Sequence, residues 1–174
     1  FNSSPVLLNP PIDFGNVGEV FVHNPNAFDP DGDSLSYRLI TPKQGIGLDV
    51  PGYIPPNQIS PGPDNSISIN PRTGELIWDA PQQQGIYNIA ILVTEYRNGQ
   101  VLGTVLRDLQ IIVQASPNRT PVLSGKDLIC VVAGDSIREI YNAIDANPGT
   151  LITIDANGAP FIVTPSPAVF EAQT

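Results

Sequence analysis

Asp29-Pro-Asp31-Gly-Asp33 sets three carboxylates at alternate positions around a glycine and runs directly into Ser34-Leu-Ser-Tyr37. Anions this close repel one another, and a hard divalent cation relieves the repulsion. Calcium takes about six to eight oxygen ligands, and a glycine turn lets alternating carboxylates converge on one ion. The helical calcium loop does not fit, because the position of its closing Glu is Ile40, in the middle of an expected strand. A β-loop site is expected instead, with Glu95, at the end of the apolar run Tyr87 to Tyr96, as the acidic residue best placed to join Asp29, Asp31 and Asp33. Asn2 and Asn118 are candidate amide-oxygen ligands. The competing reading is a bare turn, since Asp, Pro and Gly are the commonest turn residues.

Catalysis finds little support. His23 is the single histidine and stands among polar residues at an expected strand end, so it reads as a surface residue without the positioned partner that acid–base work needs. Glu75 and Asp79 flank Trp78 on one strand face about 13 Å apart by strand rise, too far for either glycosidase geometry. A Gly-x-Ser-x-Gly elbow, a phosphate loop and a histidine cluster are all missing from the sequence. Cys130 is the single cysteine and has neither a disulfide nor a metal-ligand companion in the chain.

Charge narrows the partners further. Eight Lys and Arg against 17 Asp and Glu give a net charge of −9, and the cations are scattered singly. Such a surface repels nucleic acid, whose binding rests on clustered phosphate contacts. Apolar runs fall short of the roughly 20 residues of a membrane-spanning helix, so no membrane insertion is expected. With 19 prolines and 15 glycines in 174 residues, long helices are disfavoured and many short strands with proline-rich turns are expected.

An internal repeat organises the chain. Laying Asn2 on Asn118, an offset of 118 − 2 = 116, matches Asn2-x-x-Pro-Val-Leu7 to Asn118-x-x-Pro-Val-Leu123. In the same register Gly18 meets Gly134, Asn26-Ala27 meets Asn142-Ala143, and Asp29 meets Asp145. The expected domains are one complete unit over 1–116 and the N-terminal half of a second over 117–174, cut from a longer array. The half unit keeps Asp145 but has Asn147 and Gly149 where the first has Asp31 and Asp33, so at most one strong calcium site is expected.

Within the first unit the apolar period is two. Ser66 to Asn70, a turn at Pro71-Arg-Thr-Gly74, and Leu76 to Trp78 form an expected hairpin. Tyr87 to Tyr96 and Thr104 to Val113 form another, joined at Arg97-Asn-Gly99. Earlier strands are expected at Pro5 to Leu8, Val17 to His23 and Leu35 to Ile40. About seven short strands in such a length predict an all-β, immunoglobulin-like antiparallel sandwich. Thr41 to Asn65 holds six prolines and four glycines and reads as a long loop, packed down by Ile46, Leu48, Tyr53 and Ile54. Tyr53 and Tyr96 are the two aromatics free to stack a sugar ring.

Ala27-Phe-Asp-Pro-Asp-Gly-Asp-Ser-Leu-Ser-Tyr37, Ile69-Asn-Pro-Arg-Thr-Gly-Glu-Leu-Ile-Trp78 and Gly85 to Gly99 together resemble the cadherin-like, immunoglobulin-fold repeats of bacterial surface proteins. More narrowly, they are similar to repeats of giant gliding-motility-associated adhesins of Bacteroidota, exported by type IX secretion. The resemblance implies tandem sandwiches with calcium on Asp29, Asp31 and Asp33, and Glu95 standing where such repeats usually carry Asp. It also implies O-glycans on Asp-Ser/Thr-aliphatic triplets, matched here at Ser34 and Ser136. The implied protein is non-catalytic, structural and adhesive, extracellular at the cell surface, with adjacent repeats, surface polysaccharide or other surface proteins as partners. The alternative is a carbohydrate-binding or accessory domain of a secreted polysaccharide-degrading enzyme.

Overall fold

Tyr87, Ile89, Ile91 and Val93 alternate along one strand, and in the computed structural model, which describes residues 1–172 apart from positions 63 and 133, all four are buried. Their first neighbours are set by the turn at Asn98 and Gly99, both at positive φ (52° and 76°), as a two-residue hairpin turn of the primed type demands. The result is an all-β fold.

The chain forms two compact units, Phe1–Ser116 with Asn157–Val169, and Pro117–Ala156 with the segment beginning at Phe170. The first carries β1 (Val6–Leu7), β2 (Ile12–Asn16), β3 (Phe21–His23), β4 (Ala27–Phe28), β5 (Ser34–Ile40), β6 (Lys43–Gly45), β7 (Leu48–Asp49), α1 (Pro56–Ile59), β8 (Ser66–Ile69), β9 (Leu76–Asp79), β10 (Gly85–Arg97) and β11 (Gln100–Gln114). A four-stranded sheet runs β2-β11-β10-β5 and a three-stranded sheet runs β3-β9-β8. Both sheets feed one core. Phe21, Leu76 and Trp78 come from the smaller, and Tyr87, Ile89, Leu109, Ile111 and Val113 from the larger. Each such side chain contributes about 1.5–3 kcal/mol by leaving water. A second cluster of Tyr37, Ile91 and Val93 is joined by Leu7, Ala27 and Leu35, which brings the paired β1 and β4 onto the same body.

The expected strands around Val6, Phe21, Leu35, Ser66, Leu76, Tyr87 and Thr104 are all present. β2 was not expected: it pairs parallel to β11 through Ile12↔Gln110 to Asn16↔Gln114. Its Asp13 explains a second difference, since His23 is not at the surface. It is 5 % exposed, and its Nδ1 lies 2.8 Å from Asp13 Oδ2.

The loop over 41–65 also packs differently from expectation. Ile46, Leu48 and Ile54 are exposed, and Tyr53 alone of the four is half-buried, its hydroxyl donating to Asn88 O at 2.8 Å. The anchor is polar. Buried Asn65 accepts the Trp78 indole N–H at 2.6 Å and donates to the carbonyls of Ser60 (2.5 Å) and Asn57 (3.3 Å), closing the loop on itself and on the core. Position 63 of this loop, and positions 133, 173 and 174 of the expected half repeat, lie outside the described residues.

In the second unit β12 (Val122–Ser124) pairs antiparallel with β13 (Asn142–Ile144). The register is Val122↔Ile144 and Leu123↔Ala143, against Val6↔Phe28 and Leu7↔Ala27 in the first unit. Every one of these four positions is displaced by the repeat offset. Leu7 has the second core cluster to pack on, whereas Val122, Leu123 and Ile144 remain exposed. Among the described residues no helix is long and apolar enough to cross a membrane.

Candidate cation site

Alternation places Glu95 next in phase after Tyr87, Ile89, Ile91 and Val93, so its carboxylate enters the end of the core and the residue is only 1 % exposed. The register of β10 with β11 shifts immediately afterwards, between Glu95 and Tyr96, a bulge of the kind that re-aims side chains. Opposite it, the segment between β4 and β5 carries the acidic loop. Asp29, Asp33 and Glu95 each bring a carboxylate oxygen into one group, all within 4.8 Å of one another.

Asp29 builds the turn. Its Oδ1 accepts the amides of Asp31 (2.8 Å) and Asp33 (3.2 Å), and Gly32 supplies a φ of 82°. That accounts for Oδ1 and leaves Oδ2 over. Asp29 Oδ2 and Glu95 Oε1 are buried with no hydrogen-bond partner among the described residues. A buried carboxylate oxygen without a donor is costly, and two residues that each carry one, grouped with a third carboxylate, fit a hard cation; Asp145 Oδ2 in the second unit is buried and unpartnered in the same way among the described residues but joins no such group. Three carboxylates supply only part of a calcium shell of about six to eight oxygens.

Asp33 has a second partner. Arg97 grips it with both ends of its fork, Nε to Oδ1 at 2.8 Å and Nη2 to Oδ2 at 2.5 Å, and this guanidinium holds the Asp33 carboxyl below the usual carboxylate range. The same Nη2 donates to Asn2 Oδ1 at 2.9 Å. Asn2 therefore stands beside the site, with its amide oxygen engaged.

Asp31, the fourth expected ligand, lies outside the group. Its Oδ2 accepts the Ser3 amide at 2.6 Å and lies 3.6 Å from Arg97 Nη2, so it ties down the N-terminal segment. In the second unit Asp145 repeats the turn, accepting the Asn147 amide at 2.6 Å, while Gly149 offers no carboxylate. Ser34 opens β5 opposite Tyr96 and is exposed, as is Ser136. Tyr53 and Tyr96 do not form a stacking pair: Tyr53 bonds at Asn88 and Tyr96 lies eight residues further along β10, roughly 26 Å of strand. Arg97 and Asn65 were the residues that sequence reasoning passed over. Neither breaks a pattern, and their importance comes from partners 64 and 13 positions away.

No family model matches the chain, and no curated protein matches it. Among solved structures, a Bacteroides fragilis protein provisionally named an α-galactosidase is similar at TM-score 0.43 and 13 % identity, over 66 % of this chain and 18 % of that one. A second from the same organism, provisionally named an α-galactosidase/melibiase, gives 0.42, 13 %, 66 % and 18 %. A nucleoside hydrolase-related protein of Saccharophagus degradans associated with carbohydrate metabolism gives 0.40, 20 %, 65 % and 26 %. The chain thus spans about a fifth to a quarter of these proteins, and likeness at this level carries no function across.

Proposed function

We propose that the chain is a non-catalytic structural and adhesive module: a cadherin-like β-sandwich repeat over 1–116 and the first half of another over 117–174, from a secreted cell-surface protein. Calcium on Asp29, Asp33 and Glu95 neutralises the acidic end of the core and fixes the N-terminal segment beside it. The observation that carries the reading is the acidic group of Asp29, Asp33 and Glu95, two of whose members each keep a buried oxygen, Asp29 Oδ2 and Glu95 Oε1, with no partner among the described residues. Support for the tandem arrangement is the identical register of the β1–β4 and β12–β13 pairs. Adjacent repeats and surface polymers are the partners this role implies, and Ser34 and Ser136 are the positions for O-glycans.

The test is thermal melting of the chain in calcium and in chelator. A ligand that binds the native state alone stabilises it by RT ln(1 + [L]/Kd), about 2.7 kcal/mol at 100 times Kd. A melting point that does not respond to calcium removes the metal from this reading.

A second reading, binding of carbohydrate as an accessory domain, has one feature in its favour. An open cleft of about 620 Å³ is lined by Arg38, Lys43, Asp49, Tyr53 and Asn57 together with apolar residues including Ile67 and Ile89. Glycan binding that is lost in Arg38→Ala would favour it.

A further inference from the structure

The acidic group already holds a cation of its own. Arg97 follows Glu95 by two residues on β10, and its guanidinium takes both oxygens of Asp33, one of the three candidate ligands. It is also the link to the N-terminal segment: Nη2 reaches Asn2 Oδ1 and lies 3.6 Å from Asp31 Oδ2, the acceptor of the Ser3 amide.

We infer that Arg97 is a tethered competitor for the metal, setting the affinity of the site and relaying its occupancy to Asn2 and Ser3. This rests on the calcium reading above. A divalent ion drawn to Asp29 Oδ2 and Glu95 Oε1 must share Asp33 with a guanidinium, and like charges at such range repel. Either the Asp33–Arg97 fork loosens as the ion enters, or the ion binds weakly. In both cases the site is tuned away from tight, permanent occupancy toward the weak binding of extracellular calcium modules. Loosening the fork also frees the guanidinium that holds Asn2, so the terminal segment registers what the loop has bound. The second unit keeps the loop-to-segment contact at Arg119 and Asn147 but has Gly149 in place of Asp33, so the carboxylate that Arg97 grips has no counterpart at that position.

The experiment is calcium titration of the whole chain as wild type, Arg97→Gln and Arg97→Lys, read by calorimetry and by the amide resonances of Asn2 and Ser3. Arg97→Lys keeps the charge and guards against a folding artefact. The expected result is a Kd at least about tenfold lower in Arg97→Gln, near wild type in Arg97→Lys, with the Asn2 and Ser3 resonances moving on titration in wild type but no longer in Arg97→Gln. Binding by Arg97→Gln where wild type binds too weakly to measure supports the inference equally. Wild-type binding with an unchanged or weaker Kd in Arg97→Gln overturns it and leaves the calcium reading standing. Folded proteins that bind no calcium in any of the three forms overturn both.

Discussion

The Arg119 amide donates to Asn147 Oδ1 at 2.7 Å, and 116 residues earlier the Ser3 amide donates to Asp31 Oδ2 at 2.6 Å. The residue types differ at both ends, Ser against Arg and Asp against Asn, yet the contact is the same. A backbone donor tolerates any side chain, and an amide oxygen replaces a carboxylate oxygen as acceptor. Each unit therefore seats its leading segment on its loop by the same backbone contact.

Glu95 separates a metal site from a structural carboxylate by sign. In chelator, Glu95→Gln removes a buried carboxyl group that crowds Asp29 and Asp33 and whose Oε1 has no partner among the described residues, so the variant melts at or above wild type. In calcium the order reverses, because wild type gains the ligand's stabilisation and the variant does not. A variant below wild type by the same margin in both buffers contradicts the assignment.

Asn65→Ala should destabilise by about 1–3 kcal/mol, since it leaves the buried Trp78 indole N–H unsatisfied and releases the loop that Asn65 closes. Denaturant unfolding followed by Trp78 fluorescence measures it. A loss under about 0.5 kcal/mol would mean the loop is held by other contacts.

Gly74 lies at φ 76°, and an added Cβ would come within 2.8 Å of the Tyr37 ring. Gly74→Ala should cost at least about 1 kcal/mol from backbone strain, with the clash on Tyr37 in addition. Gly32 has a similar φ of 82° but open space around it, so Gly32→Ala should cost less. Equal losses would show that the Tyr37 contact contributes nothing.

The Asp33–Arg97 pair makes acid sensitivity predictable. Asp33 is held below its ordinary value of 3.8 by Arg97. A depressed carboxyl contributes stability that is fully present above 3.8 and is lost as pH falls through the folded-state value. In chelator, the destabilisation by Arg97→Gln should be full at about pH 5 and shrink on further acidification. A difference that stays constant down to the acid transition would show that the pair is not the source.

Much of the fold was legible because alternation is a local signal. Tyr87 to Val93 against Leu109 to Val113, and Ile67 and Ile69 against Leu76 and Trp78, declare their faces in the sequence, and the turn glycines mark where the chain reverses. β2 was missed because Ile12-Asp-Phe-Gly-Asn16 alternates over only two apolar residues and that face does not enter the core: Ile12 and Phe14 are exposed, and its place is fixed by ladder bonds to β11. The same gap hid the burial of His23, whose partner Asp13 sits on that strand. At the site, phase predicted Glu95, and the alternate spacing of Asp29, Asp31 and Asp33 predicted a convergence that only Asp29 and Asp33 join. Asp31 is diverted by Ser3, and Asp33 is claimed by Arg97, contacts across 28 and 64 residues that no local pattern announces.

Equilibrium dialysis of the chain against labelled calcium at millimolar concentration counts the ions held by Asp29, Asp33 and Glu95. About one ion should bind per chain, be displaced by chelator and be absent in Glu95→Gln and Asp29→Asn, since among the described residues Asp145 lacks the carboxylate companions that Asp29 has. No bound calcium in the folded wild-type chain, or binding that survives both substitutions, would contradict a calcium site there.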